Sequence, residues 1–172
     1  MSIIIVGNGT SILDKPNGNK IDSFDTVLRF NGFKIKGHEE YTGIKTNIWF
    51  TVNHAHVNQI DAFDEVVVHS WQWDSEKCKI YQDFISKRND CKQTDGNFVR
   101  TKIKLRSPST GMIAIHMMLE RYDKVTITGF DWWDRSNHHY GDNEPRGTLH
   151  NPKEEHRIIQ DLVEKNKVKF LD

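Results

Sequence analysis

The chain has little cysteine, no excess of either charge and no long apolar run. Its only cysteines are Cys78 and Cys91. They form no CxxC pair, and no Cys/His cluster of zinc-binding spacing is present. They read as two free thiols in a reducing cytosol, with a disulfide closing the short loop between them as the alternative. The 24 Lys and Arg balance the 24 Asp and Glu. That removes the global electrostatic case for a nucleic-acid or membrane-surface partner but leaves room for a local basic pocket. The apolar run at residues 3–6 is too short for a signal-peptide core or a membrane span. The expected location is therefore the cytoplasm, including a host cytoplasm used by a virus. Neither repeats nor low-complexity segments interrupt the chain. The mean hydropathy of −0.68 is polar but ordinary for a small enzyme with long loops.

What is present is one domain's worth of sequence: the 172 residues are enough to bury a sizeable core and are read as a single domain, 1–172. Residues 3–6 form a short β-branched run ending in Gly7-Asn8-Gly9-Thr10-Ser11, the strand-then-turn opening of many nucleotide-binding α/β folds. Further strands are expected at 25–30, 45–52, 65–69, 124–130 and 168–171. Helical spacing marks 76–87, 109–122 and 152–165. Pro108 precedes the second of these helices, with Ser109 or Thr110 as N-cap. Residues 131–149 are polar, aromatic and Gly/Pro-containing and read as a long loop. Alternating strands and helices predict a Rossmann-like α/β fold with a mostly parallel sheet flanked by helices. Ligands in such folds sit at the carboxyl ends of the strands.

The suggestive residues gather at those ends. In 7–11, glycines permit close approach to a phosphate and Asn and Ser add donors. The third glycine of GxGxxG is missing and no GK[ST] follows, so the segment reads equally as a tight turn. Residues 107–111 put hydroxyls and free N–H groups at a helix start. By itself that segment is better read as simple capping. His138, His139, Tyr140 and His150, with Glu155 beyond, form a third group. Histidine titrates near neutrality, which suits proton abstraction or charge stabilisation on a leaving phosphate. Metal binding with Asp134, Asp142 and Glu144, or a merely His-rich surface, are equal readings from the residues alone, though HExxH is absent. Asp131, Trp132, Trp133 and Asp134 follow a strand end and either contact a sugar or pack as a lid. Trp71 and Trp73 are read as core or rim packing rather than an acceptor site. His54 and His56 are read as solvent-facing.

Taken in order, these segments resemble the eukaryotic-type sialyltransferases of glycosyltransferase family 29. Residues 4–8, 21–31 and 43–46 look like the family's large sialylmotif. Residues 108–111, the apolar helix and 125–130 look like the small one. His139-Tyr140 matches the third motif, and His150 with Glu155 matches the very small His-x4-Glu motif. Four motifs in order span nearly the whole chain. The resemblance implies a variant glycosyltransferase-A-like sheet and inverting, metal-independent transfer of sialic acid or a related sugar from a CMP-sugar donor to a glycan hydroxyl. No cofactor is expected, the CMP-sugar being a co-substrate. The resemblance assigns His150 as general base and His139 as the group helping CMP depart. It assigns Asn8, Gly9, Thr10, Asn31, Ser109, Thr110, Gly111 and Tyr140 to the donor, with Glu155 and Asp131 in support. Golgi members carry a membrane anchor, a stem and a disulfide joining the large and small motifs. Here the positions for that disulfide hold no cysteine, and a stripped-down cytosolic, bacterial or viral form is expected. A CMP-sugar hydrolase, or a non-catalytic nucleotide- or glycan-binding module on the same fold, is the alternative. A metal-dependent hydrolase is a third.

Overall fold

The computed structural model describes residues 1–51, 63–69, 91–94, 101–132, 138–140 and 150–172. Seven strands form one sheet: β1 (Ile3–Val6), β2 (Thr26–Phe30), β3 (Ile48–Thr51), β4 (Glu65–His69), β5 (Cys91–Thr94), β6 (Val125–Thr128) and β7 (Val168–Phe170). Their spatial order is β5-β4-β3-β2-β1-β6-β7, and every pairing is parallel. Helices lying wholly among the described residues are α1 (Gly18–Asp22), α2 (Glu39–Thr42), α3 (Thr110–Leu119) and α4 (Pro152–Glu164), with a 3-10 turn over Thr10–Asp14. The expected α/β architecture is found.

β1 explains why the sequence folds this way. All four of its residues are apolar and buried, because parallel strands are covered on both faces. Ile3 and Ile5 point into the larger core with Leu28, Phe50, Val67, Met112, Ile115 and Ile159. Ile4 and Val6 point the other way, against Ile12, Ile21 and Val27. So α3 and α4 cover one face, and α1 and the 3-10 turn cover the other. α3 is buried nearly all round, which fits its run of Met, Ile and Ala. α4 is amphipathic, burying Glu155 and Ile159.

The expected strand at 45–52 is shorter in the structure. The Lys45 N–H donates to the Asp22 carboxylate at 2.9 Å rather than to a ladder. Asn47 leads into β3 with its N–H donating to the Val27 carbonyl at 2.9 Å and its side-chain oxygen accepting from the Val27 N–H at 3.0 Å. The helix read at 76–87 lies outside the described residues. So do Trp71, Trp73, His54, His56 and Cys78. Among the described residues no helix is long and apolar enough to cross a membrane.

The chain leaves β1 toward β2 to β5 on one side, then returns to place β6 and β7 on the other. The strand order therefore reverses between β1 and β6. Open parallel sheets bind ligands at such a point, outside the carboxyl ends of the strands.

Candidate active site

The loops after β1 and β6 are fused to each other. The Gly7 N–H donates to the Thr128 carbonyl at 2.8 Å and the Gly9 N–H to the Gly129 carbonyl at 2.9 Å. A Cβ on Gly7 would lie 2.3 Å from the Gly129 carbonyl oxygen, and Gly129 itself has φ +71°. Only glycine fits such an approach. Asp131, 8% exposed, sits over the start of the 3-10 turn. Its carboxylate accepts from the Ser11 hydroxyl, from the Ser11 N–H at 3.3 Å and from the Thr10 hydroxyl at 3.3 Å. A Cβ on Gly9 would strike that carboxylate at 2.5 Å. Thr10, Ser11 and Asp131 thus cap one another, and Asp131 holds the turn.

Asn8 ties β1 to β2. Its side-chain N–H donates to the Phe30 and Gly32 carbonyls, each at 3.3 Å. Residues 138–140 close over it: Gly9 bridges His138, and the His139 N–H donates to the Asn8 carbonyl at 2.9 Å. Tyr140 donates its hydroxyl to the Gly32 carbonyl at 2.8 Å. The His139 ring is 7% exposed. Nε2 lies 2.9 Å from the Lys34 carbonyl and Nδ1 lies 3.3 Å from the Asn8 carbonyl. A neutral ring has one N–H and serves the shorter contact; an imidazolium serves both. Burial pulls the His139 pKa below the usual histidine value, and hydrogen bonds to the two carbonyls only partly oppose it. His38, edge-on at 5.2 Å, adds a lesser push the same way.

Asn31 ends β2 at φ 52°, a left-handed conformation that asparagine tolerates better than most residues. Its side-chain N–H donates to the Thr110 hydroxyl at 3.1 Å, joining β2 to the start of α3. Its carbonyl accepts from the Trp49 indole N–H at 3.0 Å. Gly111 lies beneath Phe130, where a Cβ would meet the ring at 2.6 Å. Its part in the site is therefore to seat that ring. Trp132 packs on Phe130 and stacks on His156 at 5.3 Å, so it serves packing; Trp133 lies outside the described residues.

Ser109 caps α3, its Oγ accepting from the Met112 N–H at 3.3 Å. The same Oγ donates to Glu155 at 2.7 Å, and the Ser109 N–H donates to the other Glu155 oxygen at 2.6 Å. This bidentate clasp joins the first turn of α4 to the start of α3. Glu155 is 2% exposed. Burial raises its pKa, while the Ser109 hydrogen bonds and then the charge of His150 act in opposition. His150, just before α4, has Nδ1 2.9 Å from the Ser107 carbonyl. A carbonyl only accepts, so the neutral ring carries its proton on Nδ1 and its lone pair on Nε2. That is the tautomer of a general base. Beside it opens a cavity of about 490 Å³ lined by Arg106, Ser107, His150, Asn151 and Lys153 among others.

The structure thus brings the candidate residues into two groups. Asn8, Gly9, Thr10, Asp131, His139 and Tyr140 surround the carboxyl end of β1. Ser109, His150 and Glu155 surround the starts of α3 and α4, and Asn31 with Thr110 joins the two. Sequence reading missed the Gly32 and Lys34 carbonyls, which carry no side-chain signal. It also missed Arg106 and Lys153, which no motif marks. Among the described residues no three His, Cys, Asp or Glu side chains are placed to hold a metal ion; Asp134, Asp142 and Glu144 lie outside them.

The model of glycosyltransferase family 29 (sialyltransferase) matches residues 2–83 and 62–167. The human type 2 lactosamine alpha-2,3-sialyltransferase is 25% identical over 207 residues, covering 96% of this chain and 62% of that protein. The Rattus norvegicus CMP-N-acetylneuraminate-beta-1,4-galactoside alpha-2,3-sialyltransferase is 24% identical over 182 residues, covering 86% and 46%. The chain thus spans less than two thirds of the length of these curated relatives. A crystal structure of a mammalian sialyltransferase superposes with a TM-score of 0.72 at 20% identity, covering 99% of this chain and 68% of that one. That likeness bears on the fold.

Proposed function

The chain belongs to glycosyltransferase family 29, the sialyltransferases, and from that premise we propose that it moves sialic acid, or a related sugar, from a CMP-sugar to a glycan hydroxyl, with inversion and without a metal. The observation that carries this reading is the His150–Ser107 hydrogen bond, which sets a base tautomer beside an open cavity.

In the proposed step, His150 Nε2 takes the proton of the acceptor hydroxyl. That oxygen bonds to the anomeric carbon of the donor sugar from the face opposite the phosphate. The bond from that carbon to the phosphate oxygen breaks, and its electron pair leaves with CMP. The leaving anion needs positive charge or donors nearby. His139 supplies them by exchanging its Lys34 carbonyl contact for the phosphate, taking up a proton as it does so. Asn8 and Asn31 hold the nucleotide, supported by their positions at the ends of β1 and β2, beside the point where the strand order reverses. Glu155 touches no substrate and positions the small-motif segment through Ser109.

The test is transfer of labelled sialic acid from CMP-sialic acid to a galactoside, with His150→Ala beside the wild type and a chelator in one arm. The variant is expected to lose at least about a hundredfold in kcat, in line with loss of a general base, and to keep CMP binding. Chelator is expected to have no effect. Full activity in His150→Ala would remove the base assignment, and loss of activity with chelator would favour a metal-assisted reaction.

A further inference from the structure

The cavity beside His150 is cationic. Arg106, just before the small-motif segment, and Lys153, in the first turn of α4, both line it. Both are exposed, and among the described residues neither makes an ion pair or side-chain hydrogen bond. The two carboxylates that follow Lys153 are committed elsewhere. Glu154 takes Arg157 at 2.7 Å and Glu155 takes Ser109 at 2.6 Å. The described lining includes no acidic residue. Two cations that no described carboxylate faces, at the mouth of a site, favour an anionic ligand.

We infer that the acceptor is an acidic glycan, carrying a carboxylate, sulfate or phosphate near the hydroxyl that His150 deprotonates. This deepens the reading of the site as a transferase and rests on it. Arg106 suits a planar, two-point contact with an acid group, whereas Lys153 offers a point charge. The acid group would lie on the base side, away from the nucleotide around Asn8, so it would select the acceptor and leave the donor alone. An acid group also draws its glycan to the cavity before docking, and this attraction weakens with salt.

The experiment compares kcat/KM for transfer from CMP-sialic acid to lactose, sulfated lactose, lactose phosphate and sialyllactose, at low and at physiological ionic strength. CMP titration runs in parallel. An acid acceptor is expected to exceed lactose by about tenfold, through KM, with the advantage shrinking as salt is added. The double variant Arg106→Gln, Lys153→Gln is expected to bring the acid-to-neutral ratio close to one. The best acid acceptor tells carboxylate, sulfate and phosphate apart. Equal use of lactose and every acid acceptor by the wild type would overturn the inference and leave the transferase reading standing. So would a ratio unchanged in the double variant. Absence of both CMP binding and transfer would take down the transferase reading and this inference with it.

Discussion

Asn8, His139 and Tyr140 spend their side chains on backbone carbonyls at the strand ends, whereas Ser109 and Glu155 meet across the starts of two helices. Asn8 and Tyr140 donate to Gly32 or Phe30, and His139 faces Lys34 and Asn8 itself. A carbonyl at a strand end is fixed by the sheet, so the donor side inherits the rigidity of β1 and β2. The base side hangs on one carboxylate, Glu155, which reaches from α4 to Ser109. The His150–Ser107 hydrogen bond is a further tie among the described residues. The division suits the proposed work: a preorganised cradle for an invariant nucleotide, and a pair of helix starts that different acceptors can approach. Asn31 to Thr110, at 3.1 Å, couples the two.

The sharpest break comes at Gly7. A methyl group there would press on the Gly129 carbonyl at 2.3 Å, which is backbone, with the Phe130 ring next at 3.1 Å. Gly7→Ala is expected to cost at least about 3 kcal/mol in a denaturant titration, and CMP binding with it. A small loss would mean that the donor cradle is less rigid than its hydrogen bonds suggest.

Glu155→Gln tests the other side. An amide offers one acceptor where Ser109 presents two donors, leaving a buried group unsatisfied at a cost of about 1–3 kcal/mol. Transfer is expected to fall while CMP affinity stays within about twofold, because the clasp lies on the base side only. Equal loss of binding and turnover would erase the distinction between the regions. Thr110→Val probes the coupling: it removes the acceptor of the Asn31 donor and is expected to cost about 1 kcal/mol, shared between CMP affinity and turnover.

The smallest effect is a proton. Burial holds the His139 pKa below the ordinary histidine value in the free protein. An anionic phosphate alongside it raises that pKa. Between the two values CMP binding takes up a proton, so affinity rises as pH falls through the bound-state pKa and levels off below the free-state one. Calorimetric heats in two buffers of different ionisation enthalpy measure the uptake, and His139→Gln is expected to abolish it. The same shift, in the free protein, makes stability fall as pH drops below the unfolded histidine pKa toward the folded one.

Much of this was legible in the sequence where burial is two-sided. β1 and β4 match their expected spans because each is a run of apolar or β-branched residues with clear ends. β5 was missed: Cys91-Lys92-Gln93-Thr94 is short and polar, and only the neighbouring β4 makes it a strand. α1 and α2 span five and four residues, too few for a helical period to register. In the site, Asn8 and Asn31 stood out because Asn8 follows β1 after a single glycine and Asn31 follows β2 directly. Their partners did not, since the Phe30, Gly32 and Thr110 atoms they bond lie 22, 24 and 79 residues away. Arg29 was hidden for a similar reason. It is 2% exposed inside β2, and burial lowers its pKa to about 10. The Thr42 and Lys45 carbonyls that accept from it come from the end of α2 and the loop that follows it. Family resemblance supplied roles for His139 and His150 that residue type alone left open between catalysis, metal binding and surface.

The most direct measurement is a calorimetric titration of CMP, with UMP as control, into the wild type and His150→Ala. The expected result is CMP-selective binding of equal affinity in both proteins, since the proposed nucleotide seat is on the Asn8 side and the proposed base stands apart from it. No preference for CMP over UMP would contradict the donor assignment, and a large loss of affinity in His150→Ala would contradict the separation of the two sides.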